Sequence, residues 1–232
     1  MSSLAVPLKQ SQVKAAGQLY NHLPRWAATD RALNALAEQF PDCGPESALL
    51  KVAALNQLYR TNVYAVARMA EHVGRVMAAQ NDGTLEADLV ERLATLPTAT
   101  DDEKGRVFLS FASKFVHFYV DRERFPIYDS YAVKMLTYHL GRKGQVIDNA
   151  QPYRAFLINL AALRERLDFP CGNRELDRYL WLAGLCRAWV HSPKAQINTE
   201  VAALLNKGTP ETAAILAALL PSVDTSGSLG GT

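Results

Sequence analysis

The 232-residue chain has no run of ~18 apolar residues, which excludes a membrane-spanning helix. It has only three cysteines, Cys43, Cys171 and Cys186, and none falls in a CxxC spacing. That argues against a zinc or iron–sulfur centre and for a reducing compartment, so no cofactor and no metal are expected. The opening MSSLAVPLKQSQ lacks the apolar stretch of a signal peptide. A cytoplasmic location is therefore the expectation. Net charge is low, at +2, and says little about partners by itself. Alternating Val, Ile and Thr are missing too, which removes the signature of half-buried strands.

What the chain has instead is a helical pattern. Apolar residues make up 49% of it, enough to bury a core without disulfides or metals. Ala, Leu, Arg and Glu recur at three- and four-residue spacing. This predicts helices near residues 9–22, 30–39, 46–59, 62–80, 85–95, 103–109, 113–119, 130–140, 151–167, 174–190, 194–206 and 210–219. Start signals support several of these: Asp30 before RALNALAEQF, Pro45-Glu46, Asn173 before RELDRYLWLAG, and Thr209-Pro210. Residues 1–222 read as one all-helical domain with no β domain. Residues 223–232 read as a flexible Ser/Gly tail. A monomer is expected.

The charge is uneven. Between Lys104 and Lys143 there are eight Lys or Arg against three Asp or Glu, or +5 in forty residues. Such a local basic field suits contact with phosphates. Upstream, the apolar run from Ser47 to Met77 is interrupted by Asn56-Gln57 and then Arg60-Thr61-Asn62. Amides inside an apolar run need hydrogen-bond partners. They either bridge a helix break or face a cleft and read a ligand's polar edge.

The segment RVFLSFASKFVHFYVDRERFPIYDSYAVKML, Arg106 to Leu136, carries the chemistry. It reads as a short helix, a tight turn built from Ser110, Ala112 and Ser113, a second short helix, a loop, and a helix opened by Asp129. Lys114 follows the turn at once. Exposed amides at a helix start can hold a phosphate oxygen.

This order of residues resembles the helix-hairpin-helix DNA glycosylases, most closely the 8-oxoguanine glycosylase branch. Ser110-Phe111-Ala112-Ser113-Lys114 stands where that family has its Gly-apolar-Gly-small-Lys turn. Phe125-Pro126-Ile127-Tyr128-Asp129 stands where it has its catalytic aspartate, and Leu55-Asn56-Gln57-Leu58 is similar to its polar helix ending near the base pocket. Ser110 and Ala112 replace the two hairpin glycines, and no four-cysteine cluster follows. The resemblance implies two helical subdomains around a central cleft, double-stranded DNA carrying a damaged or modified base as the partner, and catalysis by Lys114 and Asp129. The hairpin residues Ser110, Ala112 and Ser113, joined by Arg60, Tyr128, Ser130 and Lys134, form the expected DNA-contacting set.

The chemistry suits those residue types. Breaking a C1′–N bond develops positive charge on the sugar, which a nearby carboxylate stabilises. An amine attacks C1′ to form a Schiff base that leads on to strand cleavage, provided its neutral form is accessible. Phe111, Phe115 and Phe118 surround Lys114 in sequence and would desolvate it. His117 is expected to be a packed or surface histidine and not an acid or base, and Tyr131 either packs or, as tyrosines do, hydrogen-bonds phosphate or wedges into DNA. A target base must leave the duplex stack, so a pocket with flat apolar walls is required. Tyr59, Phe111, Trp181 and Trp189 are the candidate walls, with Asn56, Gln57 and Asp177 as candidates to read the base edge. The excised base is not legible, and a bulky modified pyrimidine of the kind phages install is the alternative to 8-oxoguanine. A catalytically silent DNA-binding module and a helical interaction protein are the competing functions.

Overall fold

The computed structural model describes residues 3–80, 88–97, 105–192 and 197–220. The architecture is all-helical, as expected. Eleven α-helices are present among the described residues, with a two-residue β-ribbon between the fifth and sixth.

Helix α1 (Gln10–Asn21) buries Val13, Ala16, Leu19 and Tyr20 along one stripe. Helix α2 (Pro24–Gln39) begins earlier than Asp30 suggests. Pro24 occupies a first-turn position where its missing N–H is no loss. The free amides of Arg25 and Trp26 donate to the Glu200 carboxylate at 2.9 and 3.1 Å. Asp30 is thus inside a helix, not capping one.

Helix α3 (Pro45–Tyr59) ends in Arg60, at φ 50°, and α4 (Val66–Ala78) follows a short loop instead of starting at residue 62. Asn62 also has a positive φ of 59°, a conformation asparagine tolerates. The Asn56 side chain shapes this loop. It accepts from the Val63 amide and the Thr61 hydroxyl and donates to the Val63 carbonyl, all within 3.0 Å.

Helix α5 (Leu89–Ala94) leads into β1 (Thr95–Leu96), which pairs antiparallel with β2 (Arg106–Val107). The helix expected at 103–109 is therefore absent over the described residues 105–108: Arg106 and Val107 take up an extended pairing, and helix starts only at Leu109. Helix α6 (Leu109–Tyr119) then runs without a break through Ser110, Ala112 and Ser113. The small-residue hairpin expected there does not form. Ser and Ala are compatible with helix, and with neither glycine present nothing in the segment demands a turn.

Helices α7 (Ser130–Leu140), α8 (Pro152–Arg164), α9 (Asn173–His191), α10 (Thr199–Lys207) and α11 (Pro210–Leu219) complete the fold. Thr209 caps α11 through its hydroxyl, as its sequence predicts. The tail at 223–232 lies outside the described residues.

Helices α2 to α6 pack mainly on one another, while α1 packs on α9 and α11 and α7 packs on α8 and α9. One continuous core joins both groups. Helix α6 is buried on every side, with Phe111 to Phe118 all shielded. Helices α7 and α9 approach closely because Gly184 has no side chain: a Cβ there would lie 2.7 Å from the Tyr131 carbonyl oxygen.

Candidate functional site

A cleft of about 620 Å³ opens between the two helix groups. Tyr20 reaches it from α1, Trp26 and Asp30 from α2, and Tyr59 from α3. Ser110, Lys114 and His117 come from α6, and residues 127–131 with Val133 and Lys134 come from the loop before α7 and its first turns. Helix α9 contributes Arg174, Asp177, Arg178 and Trp181.

Both residues expected to carry the chemistry are here. Lys114 is 7% exposed and lies against the Tyr59 ring. Its Nζ donates to the Ser110 Oγ at 2.6 Å and to the Ser110 carbonyl at 3.3 Å, and it sits 5.7 Å from the Tyr59 ring centroid. Burial pushes its pKa down, against the opposing pull of Asp129 and Asp177. Desolvation therefore wins, favouring the neutral amine.

Asp129 caps α7, its Oδ1 accepting from the amides of Tyr131 and Ala132 at 2.8 Å each. The loop that delivers it is held by side chains from three helices. The His117 Nδ1–H donates to the Phe125 carbonyl at 2.9 Å, and the Tyr153 hydroxyl donates to the Pro126 carbonyl at 2.8 Å. Asp177 accepts from the Ile127 amide at 3.2 Å, and the Ser113 hydroxyl accepts from the Tyr128 amide at 3.1 Å. A loop whose backbone polar groups are satisfied in this way holds one shape.

Asp177 is a buried carboxyl. Its pKa is raised to about 8, first by desolvation and then by the nearby Asp129, so it is held neutral near pH 7. His117 goes the other way: burial lowers it to about 4, and its ring is neutral. Asp30 is gripped by two phenols, Tyr59 donating to Oδ1 at 2.6 Å and Tyr20 to Oδ2 at 2.5 Å. The aromatic wall is continuous. Trp26 stacks on Trp181 with centroids 4.8 Å apart and meets the Tyr59 ring edge-on at the same distance.

Of the other expected site residues, Tyr59, Asp177, Trp181, Ser110, Tyr128, Ser130 and Lys134 line the cleft. Phe111 does not, being core at 1% exposure. Ala112 and Ser113 are fully buried, so neither is placed to touch a phosphate. Ser113 anchors the Asp129 loop instead. Asn56 is committed to its own loop, Gln57 is exposed away from the cleft, and Trp189 is not among the lining residues. Arg60 is exposed at the end of α3. Tyr20, Trp26, Asp30, Arg174 and Arg178 were not expected at the site. They lie far apart in sequence and carry no local motif, though the i, i+4 spacing of Trp26 and Asp30 on one helix face was readable.

Comparisons with known proteins bear on part of the chain. One family, HI_0787_N, described as an N-terminal domain, matches residues 12–124, a span that includes Lys114 but stops short of Asp129. An uncharacterized protein of Haemophilus influenzae is 33% identical over 132 residues. That alignment covers 56% of this chain and 62% of the relative, so the chain spans under two thirds of the relative's length. No solved structure matches. Among the described residues no helix is long and apolar enough to cross a membrane.

Proposed function

We propose that the protein is a DNA glycosylase of the helix-hairpin-helix type, its two helix groups flanking the cleft in which an extruded base is excised. The observation that carries this reading is that Lys114 and Asp129, far from remarkable taken singly, line one aromatic-walled cleft. The neutral amine of Lys114 attacks C1′ of the flipped nucleotide, a C–N bond forming as the bond to the base breaks. The base leaves with the bonding electron pair and takes up a proton. The sugar adduct then opens to a Schiff base, from which strand cleavage proceeds. Asp129 faces the sugar and stabilises the charge that develops there.

Lys134, Arg174 and Arg178 give the cleft positive charge to meet the DNA backbone. Double-stranded DNA is the partner, and the protein acts as a monomer in the cytoplasm on this reading. The substrate is 8-oxoguanine, or alternatively a hypermodified phage base, which would make the role antiviral. A panel of duplexes with different modified bases, scored for abasic sites by alkali cleavage, tests the proposal. Release of one base, abolished in Asp129→Asn, is expected; release of none by the wild type would refute it.

One observation favours a second reading, a silent DNA-binding module: α6 passes straight through the place where a phosphate-binding hairpin would stand. That module would bind duplex DNA with salt-sensitive affinity, unchanged in Asp129→Asn, and leave no abasic product.

A further inference from the structure

Helix α2 carries Trp26, half of the stacked wall of the cleft, yet no neighbouring side chain in its own sequence caps it. Leu23, just before Pro24, offers no side-chain acceptor to the first turn. Pro24 has no N–H to satisfy, and the Ala27 amide donates to the Leu23 carbonyl at 2.9 Å. The amides left are those of Arg25 and Trp26. Each donates to a different oxygen of Glu200, at 2.9 and 3.1 Å, from 175 and 174 positions away in the chain. Glu200 lies in the first turn of α10, which Asn198 caps by accepting from the Glu200 and Val201 amides. Val201 is fully buried, so this turn is anchored in the core. One carboxylate thus serves the N-terminal ends of two helices, where both dipoles favour a negative charge.

We infer that Glu200 is a positioning residue for the cleft, fixing the first turn of α2 and with it the Trp26 half of the aromatic wall on which a ligand's ring stacks. That the ring is a nucleic-acid base rests on the proposed function; the bracing of the wall does not. Trp26 is the third residue of α2, within the turn that frays when its end groups lose their partners. Its ring stacks on Trp181 and meets Tyr59 edge-on, both at 4.8 Å. Among the described residues α10 gives no side chain to the cleft, so Glu200 acts through α2. Capping effects fade beyond the first turn. Asp30 lies farther along and is held by Tyr20 and Tyr59, and Lys114 and Asp129 are held by α6 and α7. Loss of Glu200 therefore loosens the stacking wall and leaves the reacting groups in place.

The test is the indole N–H spectrum of the full chain, whose three tryptophans are Trp26, Trp181 and Trp189. Trp26→Phe, Trp181→Phe and Trp189→Phe assign the signals, and Trp189, which does not line the cleft, is the internal reference. Glu200→Gln loses the charge and one of the two acceptor oxygens, and Glu200→Ala loses both. Both should shift the Trp26 and Trp181 signals, Glu200→Ala by more, with Trp189 unmoved. Glu211→Gln, the same charge change on α11 beside His22, should move none of them. In base release from duplexes, Glu200→Gln should raise KM about tenfold, within the range that base–aromatic stacking supplies, and leave kcat within about twofold. Glu200→Gln keeps one acceptor, so it carries the test where Glu200→Ala does not fold. A lowered melting temperature with all three indole signals in place would make Glu200 a structural cap only and overturn the inference. So would equal shifts in Glu211→Gln, or a loss confined to kcat. Indole shifts in a protein whose wild type releases no base defeat the glycosylase reading alone and leave the bracing of Trp26 standing.

Discussion

Lys114 and Asp129 share a cleft without pairing: no ion pair within 4.0 Å joins them, the amine bonding to Ser110 and the carboxylate to the first amides of α7. Each is held by its own helix, so a reacting atom has room to enter between them. On the proposed reading Asp129 has two separable roles, capping α7 and stabilising charge on the sugar. Asparagine caps helices about as well as aspartate. Asp129→Asn should therefore keep its thermal stability while losing base release by a factor of about 100 or more, the usual scale for removing one preorganised charge-stabilising group. Asp129→Ala should lose activity and also about 1 kcal/mol of stability through the missing cap. Thermal melts beside single-turnover kinetics separate the two effects.

The pH dependence of that chemistry should be set by burial. Desolvation lowers Lys114, while the carboxyls of Asp129 and Asp177 pull it back up. Activity should rise with pH as the amine loses its proton. Ionisation of Asp177 above about 8 then adds a negative charge that favours the ammonium and opposes the rise. Asp177→Asn removes that charge, so the rising limb of its pH–rate profile should move to lower pH. A limb that stays in place would show that Asp177 does not act on the lysine.

Stability should record the same group with the opposite test. Asp177 ionises at an ordinary 3.8 when exposed but near 8 in the fold, so between those values the native state holds a proton that the unfolded chain has lost. Its contribution is full below 3.8 and disappears as pH rises through about 8. His117 runs the other way, its folded value of about 4 lying below the ordinary 6.5, so stability falls as pH drops through that window. Because both proteins contain His117, the difference between Asp177→Asn and wild type isolates the carboxyl. Denaturant melts should show the variant gaining on wild type steadily from pH 4 to pH 8.

The close approach of α7 and α9 gives a structural check far from any titration. A methyl at position 184 would strike the backbone of Tyr131, two residues beyond Asp129. Gly184→Ala should destabilise by about 1–3 kcal/mol, the range for overpacking a core. It should also weaken base release by displacing the start of α7. Unchanged activity with lowered stability would mean the loop side chains, not helix packing, position Asp129.

Much of this was readable from the chain alone, and the reasons divide by range. Periodicity reveals helices, and Asp129 before SYAVKML reveals a cap, because both are local. The turn at Ser110 to Ser113 was misread because small residues permit a hairpin but do not require one. Packing of Phe111, Phe115 and Val116 against neighbours decided for a continuous helix. Tyr20 and the Trp26–Asp30 pair escaped notice because the cleft is assembled from α1, α2, α3, α6, α7 and α9, and the i, i+4 spacing on α2 does not by itself say which face meets a cleft. Asn56 and Gln57 attracted attention as polar residues in an apolar run. One proved to shape a loop and the other to face solvent, both ordinary ways to satisfy an amide.

The most direct measurement is borohydride reduction of the protein mixed with duplexes bearing modified bases, followed by mass mapping of any covalent adduct. The account predicts one reduced protein–DNA adduct, located on Lys114 and absent from Lys114→Gln. An adduct on another amine, or no adduct and no base release with any duplex, would contradict it.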